Sequence, residues 1–81
     1  MSHQTPWIGF DLDGTLSDER TRRTIWTIGD PIPSMIERAR RYLDKGIKVK
    51  IFTARANDPR QHPIIRDWLR KAALPEDLAI T

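Results

Sequence analysis

Two aspartates one residue apart, Asp11 and Asp13 in "GFDLDGTLSDE", close an apolar run and are followed at once by Gly14 and Thr15. In extended backbone such a pair points to one side of the strand, because side chains alternate with period two. Close carboxylates repel unless a cation or a shared proton relieves them. A hard cation such as Mg2+ takes oxygen ligands, commonly one or two carboxylates completed by water and substrate phosphate oxygens. Gly14 permits a tight turn whose successive N–H groups could face an anion. Farther on, "IFTAR" closes another apolar run with Thr53, Ala54 and Arg55. Thr53 offers a hydroxyl and a backbone N–H to one phosphate oxygen, and the Arg55 guanidinium could add charge. Together these groups suit phosphoryl transfer. An aspartate-rich turn after a strand is also an ordinary structural feature, so the decision rests on whether the fold brings the two segments to one place.

The elements that would position them can be read from hydrophobic period. "WIGF", residues 7–10, has the length of a buried strand, and "IKVKIF", residues 47–52, alternates apolar and basic residues as a strand does. Residues 14–33 mix glycine, proline and charge without a helical period, which predicts a loop holding a short hairpin with Thr24 to Ile28 as one arm. From Ser34, the apolar residues Met35, Ile36, Ala39, Tyr42 and Leu43 fall on one helical face. Ser34 and Glu37 have capping-box spacing, and Gly46 stands where a helix ends. A second helix is predicted over residues 64–74, with Ile64, Ile65, Trp68, Leu69 and Ala72 on one face; Pro59 and Pro63 both suit its first turn. "LPEDLAIT" breaks that helix and begins a further strand at Leu78. Strands alternating with helices imply parallel pairing through right-handed crossovers. Ligands of such sheets sit beyond the carboxyl ends of the strands, where both "DLDGT" and "TAR" leave.

The chain of 81 residues is one domain at most, with a small core. A hydrophobic content of 38% and a charged content of 31% fit a soluble globular protein. No apolar run approaches the roughly 20 residues of a membrane span. "MSHQTPW" lacks the basic start and apolar stretch of a secretory leader, and no cysteine is present to form a disulfide or a thiolate metal site. Cytoplasmic is the default location. A net charge of +3, carried by ten arginines and four lysines against 11 acidic residues, leans toward acidic partners such as phosphorylated small molecules or nucleic acid.

"FDLDGTL" followed by a strand ending in "IFTAR" resembles the first two motifs of the haloacid dehalogenase-like superfamily, largely Mg2+-dependent phosphatases. With "PIPSMIERARRYL" between them, the order is similar to small capless members found in phage and bacterial genomes, from about Trp7 to the end of the chain. The resemblance implies a Rossmann-like parallel sheet in a three-layer α/β/α arrangement, of which residues 1–81 would supply the first half, about three strands and two helices. It implies that Asp11 is the nucleophile that forms an aspartyl-phosphate and also binds Mg2+. Asp13 would be the general acid and base, with its main-chain carbonyl on the metal. Thr53 would hold the transferring phosphoryl group, and Gly14, Ala54 and Arg55 would complete the phosphate-binding set. The implied substrate is a small phosphorylated molecule, a nucleotide among the candidates.

The family also uses a lysine or arginine after the second motif and a final acidic motif, which relatives carry beyond the segment matching "LPEDLAIT". Lys71 reads as solvated helix surface, and Asp58, Asp67, Glu76 and Asp77 are poor replacements for the last metal ligands. The expectation is therefore a fragment or shortened relative of a longer enzyme, or a chain whose first strand has its open edge covered by a second copy or a partner. A non-catalytic interaction module, docking by that edge or by an arginine-rich loop, is the competing reading. Arg20, Arg22 and Arg23 lie where the family carries a flap over its site, and a solvated loop is the favoured reading of them. Trp26 in the same loop either stacks on a base or packs on the domain. Trp68 reads as core, Trp7 as the start of the strand's apolar set, and His3 and His62 lack a spaced partner for zinc.

Overall fold

Alternation in "WIGFD" and "KVKIF" produces the two longest strands, and their pairing sets the architecture. In chain order the elements are β1 (Trp7–Asp11), β2 (Ser17–Asp18), β3 (Asp30–Pro31), α1 (Pro33–Asp44), β4 (Lys48–Phe52), α2 (His62–Lys71) and β5 (Ala79–Ile80). The computed structural model describes residues 6–81, so His3 lies outside the described residues. β1 runs parallel to β4, with Trp7 opposite Lys48 and Asp11 opposite Phe52. β4 runs parallel to β5, giving a three-stranded sheet in the order β1-β4-β5. The α/β class and parallel pairing expected from the sequence are present. The second edge of β1 has no strand partner among the described residues.

Facing residues divide the sheet sharply. Phe10, Val49, Ile51 and Leu78 are buried with Ile36 and Ala39 of α1 and Ile65 and Leu69 of α2 in one cluster. Both helices therefore cover the same face, as two right-handed crossovers stepping in one direction require. The other face is uncovered: Trp7 is 53% exposed and Phe52 36% exposed, their rings in tilted contact with Lys50 Nζ over Trp7. The described residues thus form two layers of the expected three. Trp7 is not part of the core, because alternation turns it to the face that no helix covers.

Local chemistry explains where the elements depart from expectation. α1 begins at Pro33, whose fixed φ suits a first turn, and Ile32 caps it without a side-chain bond. Ser34 therefore lies inside the helix, and the Ser34–Glu37 capping box is not formed. Gly46 ends the segment at φ 79°, in the left-handed region that glycine enters without strain. α2 starts two residues before the predicted position, with Pro63 in its first turn, and stops at Lys71. Ala73 then reverses the chain at φ 62°.

The hairpin exists, but its arms are β2 and β3, pairing Ser17 with Pro31 and Asp18 with Asp30. Thr24 to Ile28 is not an arm. Thr27 Oγ1 accepts the Thr24 N–H at 2.9 Å, and the Thr24 carbonyl accepts the Thr27 N–H at 3.2 Å. Hydroxyl side chains here satisfy the backbone locally and remove its need for a strand partner. No helix among the described residues is long and apolar enough to cross a membrane.

Candidate functional site

The carboxyl ends of β1 and β4 meet at one edge of the sheet. The Leu12 N–H donates to the Phe52 carbonyl at 3.1 Å, extending the β1–β4 ladder between the two aspartates. Leu12 is fully buried, while Asp11 is exposed and Asp13 partly so. This is the period-two alternation expected of an aspartate pair. Beyond it the chain curls back on the Leu12 carbonyl, which accepts the N–H groups of Leu16 and Ser17 and the Ser17 hydroxyl at 3.0–3.2 Å. The burial of Leu16 and Ser17 keeps this turn against the core.

Gly14 adopts φ +85°, the left-handed conformation that the turn demands. Its N–H does not face outward, however: it donates to the Ser17 carbonyl at 2.9 Å, and the Thr15 N–H donates to the Leu12 carbonyl at 3.3 Å. The turn satisfies itself rather than forming an anion nest. Thr53 differs similarly from expectation. Its N–H continues the β4–β5 ladder to the Thr81 carbonyl at 3.0 Å, and its Oγ1 accepts the Arg55 N–H at 3.1 Å. The Thr53 hydroxyl proton remains free to donate. The N–H groups of Asp13 and Ala54 donate to no described residue.

Arg55 is engaged inside the protein. Its Nε and Nη2 donate to the two carboxylate oxygens of Asp13 at 2.9 and 3.0 Å. Nη1 donates to the Ile25 carbonyl at 2.9 Å and to Gln61 Oε1 at 3.0 Å, and Nη2 also donates to the Thr27 carbonyl at 2.8 Å. These bonds use all five guanidinium N–H groups. With side-chain exposures of 8% for Arg55 and 19% for Asp13, the pair is well shielded from water. The Asp11 carboxylate, in contrast, makes no hydrogen bond or ion pair with a described residue, while the Asp11 carbonyl accepts the Leu16 N–H at 3.3 Å.

No family model, curated protein or solved structure matches this chain. The site is therefore read from its own geometry. For a cation such as Mg2+, the exposed Asp11 carboxylate and the Asp13 main-chain carbonyl, to which no described residue donates, are suitable hard oxygen donors. The Asp13 carboxylate already accepts the Arg55 fork. No group of three or more His, Asp or Glu side chains gathers as a metal cluster among the described residues, so such an ion would take its remaining ligands from water and phosphate.

None of the later acidic residues joins Asp11 and Asp13 in a metal-holding group among the described residues. Asp58 caps the turn at Pro59–Gln61 and pairs with Arg60 at 2.9 Å, while Asp67 pairs with Arg70 and with Lys71 along α2. Hydrogen bonding from Arg60 holds the Asp58 carboxyl below its ordinary range, and bonding from Lys71 and then Arg70 does the same for Asp67. Glu76 and Asp77 are exposed beyond the helix. Arg20 is tied to Asp18, and its bonds lower the Asp18 pKa.

Gln61, Trp68 and Trp26 acquire roles that spacing did not indicate. Gln61 is 6% exposed and donates from Nε2 to the Ile25 carbonyl at 2.9 Å. Nothing distinguishes it in the polar run "NDPRQHP", since its importance comes from a residue 36 positions away. Trp68 is half-buried and packs against the core cluster without entering it, and its Nε1–H donates to the Gly29 carbonyl at 2.8 Å. Trp26 stays 43% exposed beneath the Arg60 guanidinium. A cavity of about 640 Å³ opens between Trp26, Trp68, Pro31 and Pro63, without Asp11, Asp13 or Thr53 in its lining. His62 donates from Nε2 to the Ala56 carbonyl, a structural use of the ring.

Proposed function

We propose that this chain is a phosphatase-type hydrolase of the haloacid dehalogenase-like kind, acting on a small phosphorylated substrate, with a nucleotide among the candidates. The observation that carries this reading is the exposed, unpartnered Asp11 carboxylate at the end of β1. Its register partner Phe52 stands one residue before Thr53. A nucleophile needs an accessible carboxylate, and proton transfer needs a second group on the same side; Asp13 supplies the latter across the buried Leu12.

In the proposed reaction, whose first step needs Asp13 to carry a proton within the Arg55 fork, an Asp11 oxygen attacks phosphorus, the bond from phosphorus to the leaving oxygen breaks, and that oxygen takes the Asp13 proton. Water then attacks the aspartyl-phosphate and gives a proton to Asp13. The phosphorus–Asp11 bond breaks, releasing inorganic phosphate and restoring the carboxylate. The Thr53 hydroxyl and the N–H groups of Asp13 and Ala54 are the donors available to phosphoryl oxygens, whereas Arg55 acts through Asp13. Bound Mg2+ would supply the positive charge that lets an anionic carboxylate approach an anionic phosphate.

An aryl phosphate assay with and without Mg2+ tests the reading. Turnover should require the metal and fall at least about a thousandfold in Asp11→Asn. Metal-independent turnover, or activity untouched by that substitution, would sink the mechanism. The bare edge of β1 and the exposed Trp7–Phe52 pair support a second reading, an interaction module without catalysis. A folded chain that shows no turnover at any Mg2+ concentration would favour it.

A further inference from the structure

The segment beside Asp13 has little apolar anchorage of its own. Ile25 is 64% exposed and Trp26 43% exposed, leaving Ile28 as the residue of this loop that packs against the core. Polar straps hold its middle. The Ile25 carbonyl accepts both Arg55 Nη1 and Gln61 Nε2, and the Thr27 carbonyl accepts Arg55 Nη2. The same guanidinium grips both oxygens of Asp13.

A shielded guanidinium deprived of its acceptors pays the desolvation of each unpaired N–H. When the loop leaves, Arg55 loses the Ile25 and Thr27 carbonyls; when the Asp13 carboxylate leaves, Arg55 loses its one charged partner among the described residues. Because the planar fork holds its bonds in fixed relative directions, tilting it toward one set of acceptors misaligns the other.

We propose that Arg55 is a positioning residue that couples seating of the Ile25–Thr27 loop to the setting of the Asp13 carboxylate, with Gln61 as a second strap. Its functional meaning rests on the phosphatase reading, in which Asp13 handles protons. The loop and Asp13 then form one unit: a substrate that lifts the loop loosens Asp13, and reseating the loop aims it again.

Hydrogen exchange at the amides of Thr24, Trp26, Thr27 and Asp30 reads this coupling without turnover, since each donates to a threonine oxygen within the loop. Asp13→Asn, Arg55→Lys and Gln61→Glu should each raise loop exchange by about tenfold, with β4 amides unchanged. Asp13 does not touch the loop directly, so unchanged loop exchange in Asp13→Asn overturns the coupling. Should Arg55→Lys also lose protection in β4, the nearly isosteric Gln61→Glu decides the strap: it leaves an acceptor for Arg55 and removes the donor to Ile25, and unchanged loop exchange overturns that role.

In the aryl phosphate assay, Gln61→Glu should lower kcat about tenfold with KM held within about twofold. Wild-type protein without turnover would remove the phosphatase reading, while the exchange result would still decide the coupling.

Discussion

Asp11 and Asp13 carry the same carboxyl group two residues apart, yet the fold gives them unlike surroundings. Asp11 stands free at the sheet edge, whereas Asp13 is held in the fork of a residue 42 positions away. In the proposed reaction this division leaves the accessible, unpaired carboxylate to attack and the oriented one to manage protons. Thr53 stands between these tasks, accepting the Arg55 N–H while keeping a proton to donate. Thr53→Val should therefore lower kcat/KM about a hundredfold, the scale of losing one hydrogen-bond donor to developing negative charge. Thr53→Ser, which keeps the hydroxyl, should retain most of the activity, and steady-state kinetics on the aryl phosphate would check both. The Asp-x-Asp spacing was legible because alternation is a local rule. The enclosure of Arg55 was not, because an arginine offered to a phosphate and one offered to a carboxylate look alike in sequence.

Among the elements, α1 and β4 could be read from period alone, since each buries enough apolar residues to repeat its signal. The hairpin could not, for its arms are two residues each and are fastened by loop crossings rather than by an apolar pattern. Helix ends depend on backbone conformation that single substitutions can test. Gly46→Ala should destabilise by about 1 kcal/mol, because a Cβ at φ 79° is strained even where the space around it is open. Ala73→Gly should instead stabilise by about 0.5 kcal/mol, relief of left-handed strain exceeding the added freedom of the unfolded chain. Urea melts of the two variants would show opposite shifts in midpoint. Around α2, Asp58 and Asp67 have folded pKa values below their ordinary ones, through Arg60 for the first and through Lys71 and Arg70 for the second. Their contribution to stability is fully present above the unfolded value near about 4 and disappears as pH falls through the lower folded values. Acid titration should therefore loosen this region below about pH 4, and Asp58→Asn should flatten part of that slope.

The whole molecule is a sheet with helices on one side, so its stability rests on a single cluster. Leu69 is fully buried there, between α2 and the sheet. Truncating it to alanine should cost about 3 kcal/mol by lost transfer energy and a residual cavity. Globular chains of this length are stable by only roughly 4–12 kcal/mol, so the urea midpoint of Leu69→Ala should fall markedly. A substitution at exposed Trp7 should not lower stability comparably, since that side chain faces away from the cluster. The sequence by itself determined the alternation of strand and helix, the parallel pairing and the arrival of Asp11, Asp13 and Thr53 at one sheet edge. The elements follow from short hydrophobic periods, and the shared edge follows from parallel pairing of strands that alternate with helices, which sets their carboxyl ends side by side. The tertiary structure decided which face stays bare and that Arg55 serves Asp13, Gln61 and the Ile25–Thr27 backbone together. Those bonds join residues 6 to 42 positions apart, and their angular fit arises only when distant segments are packed.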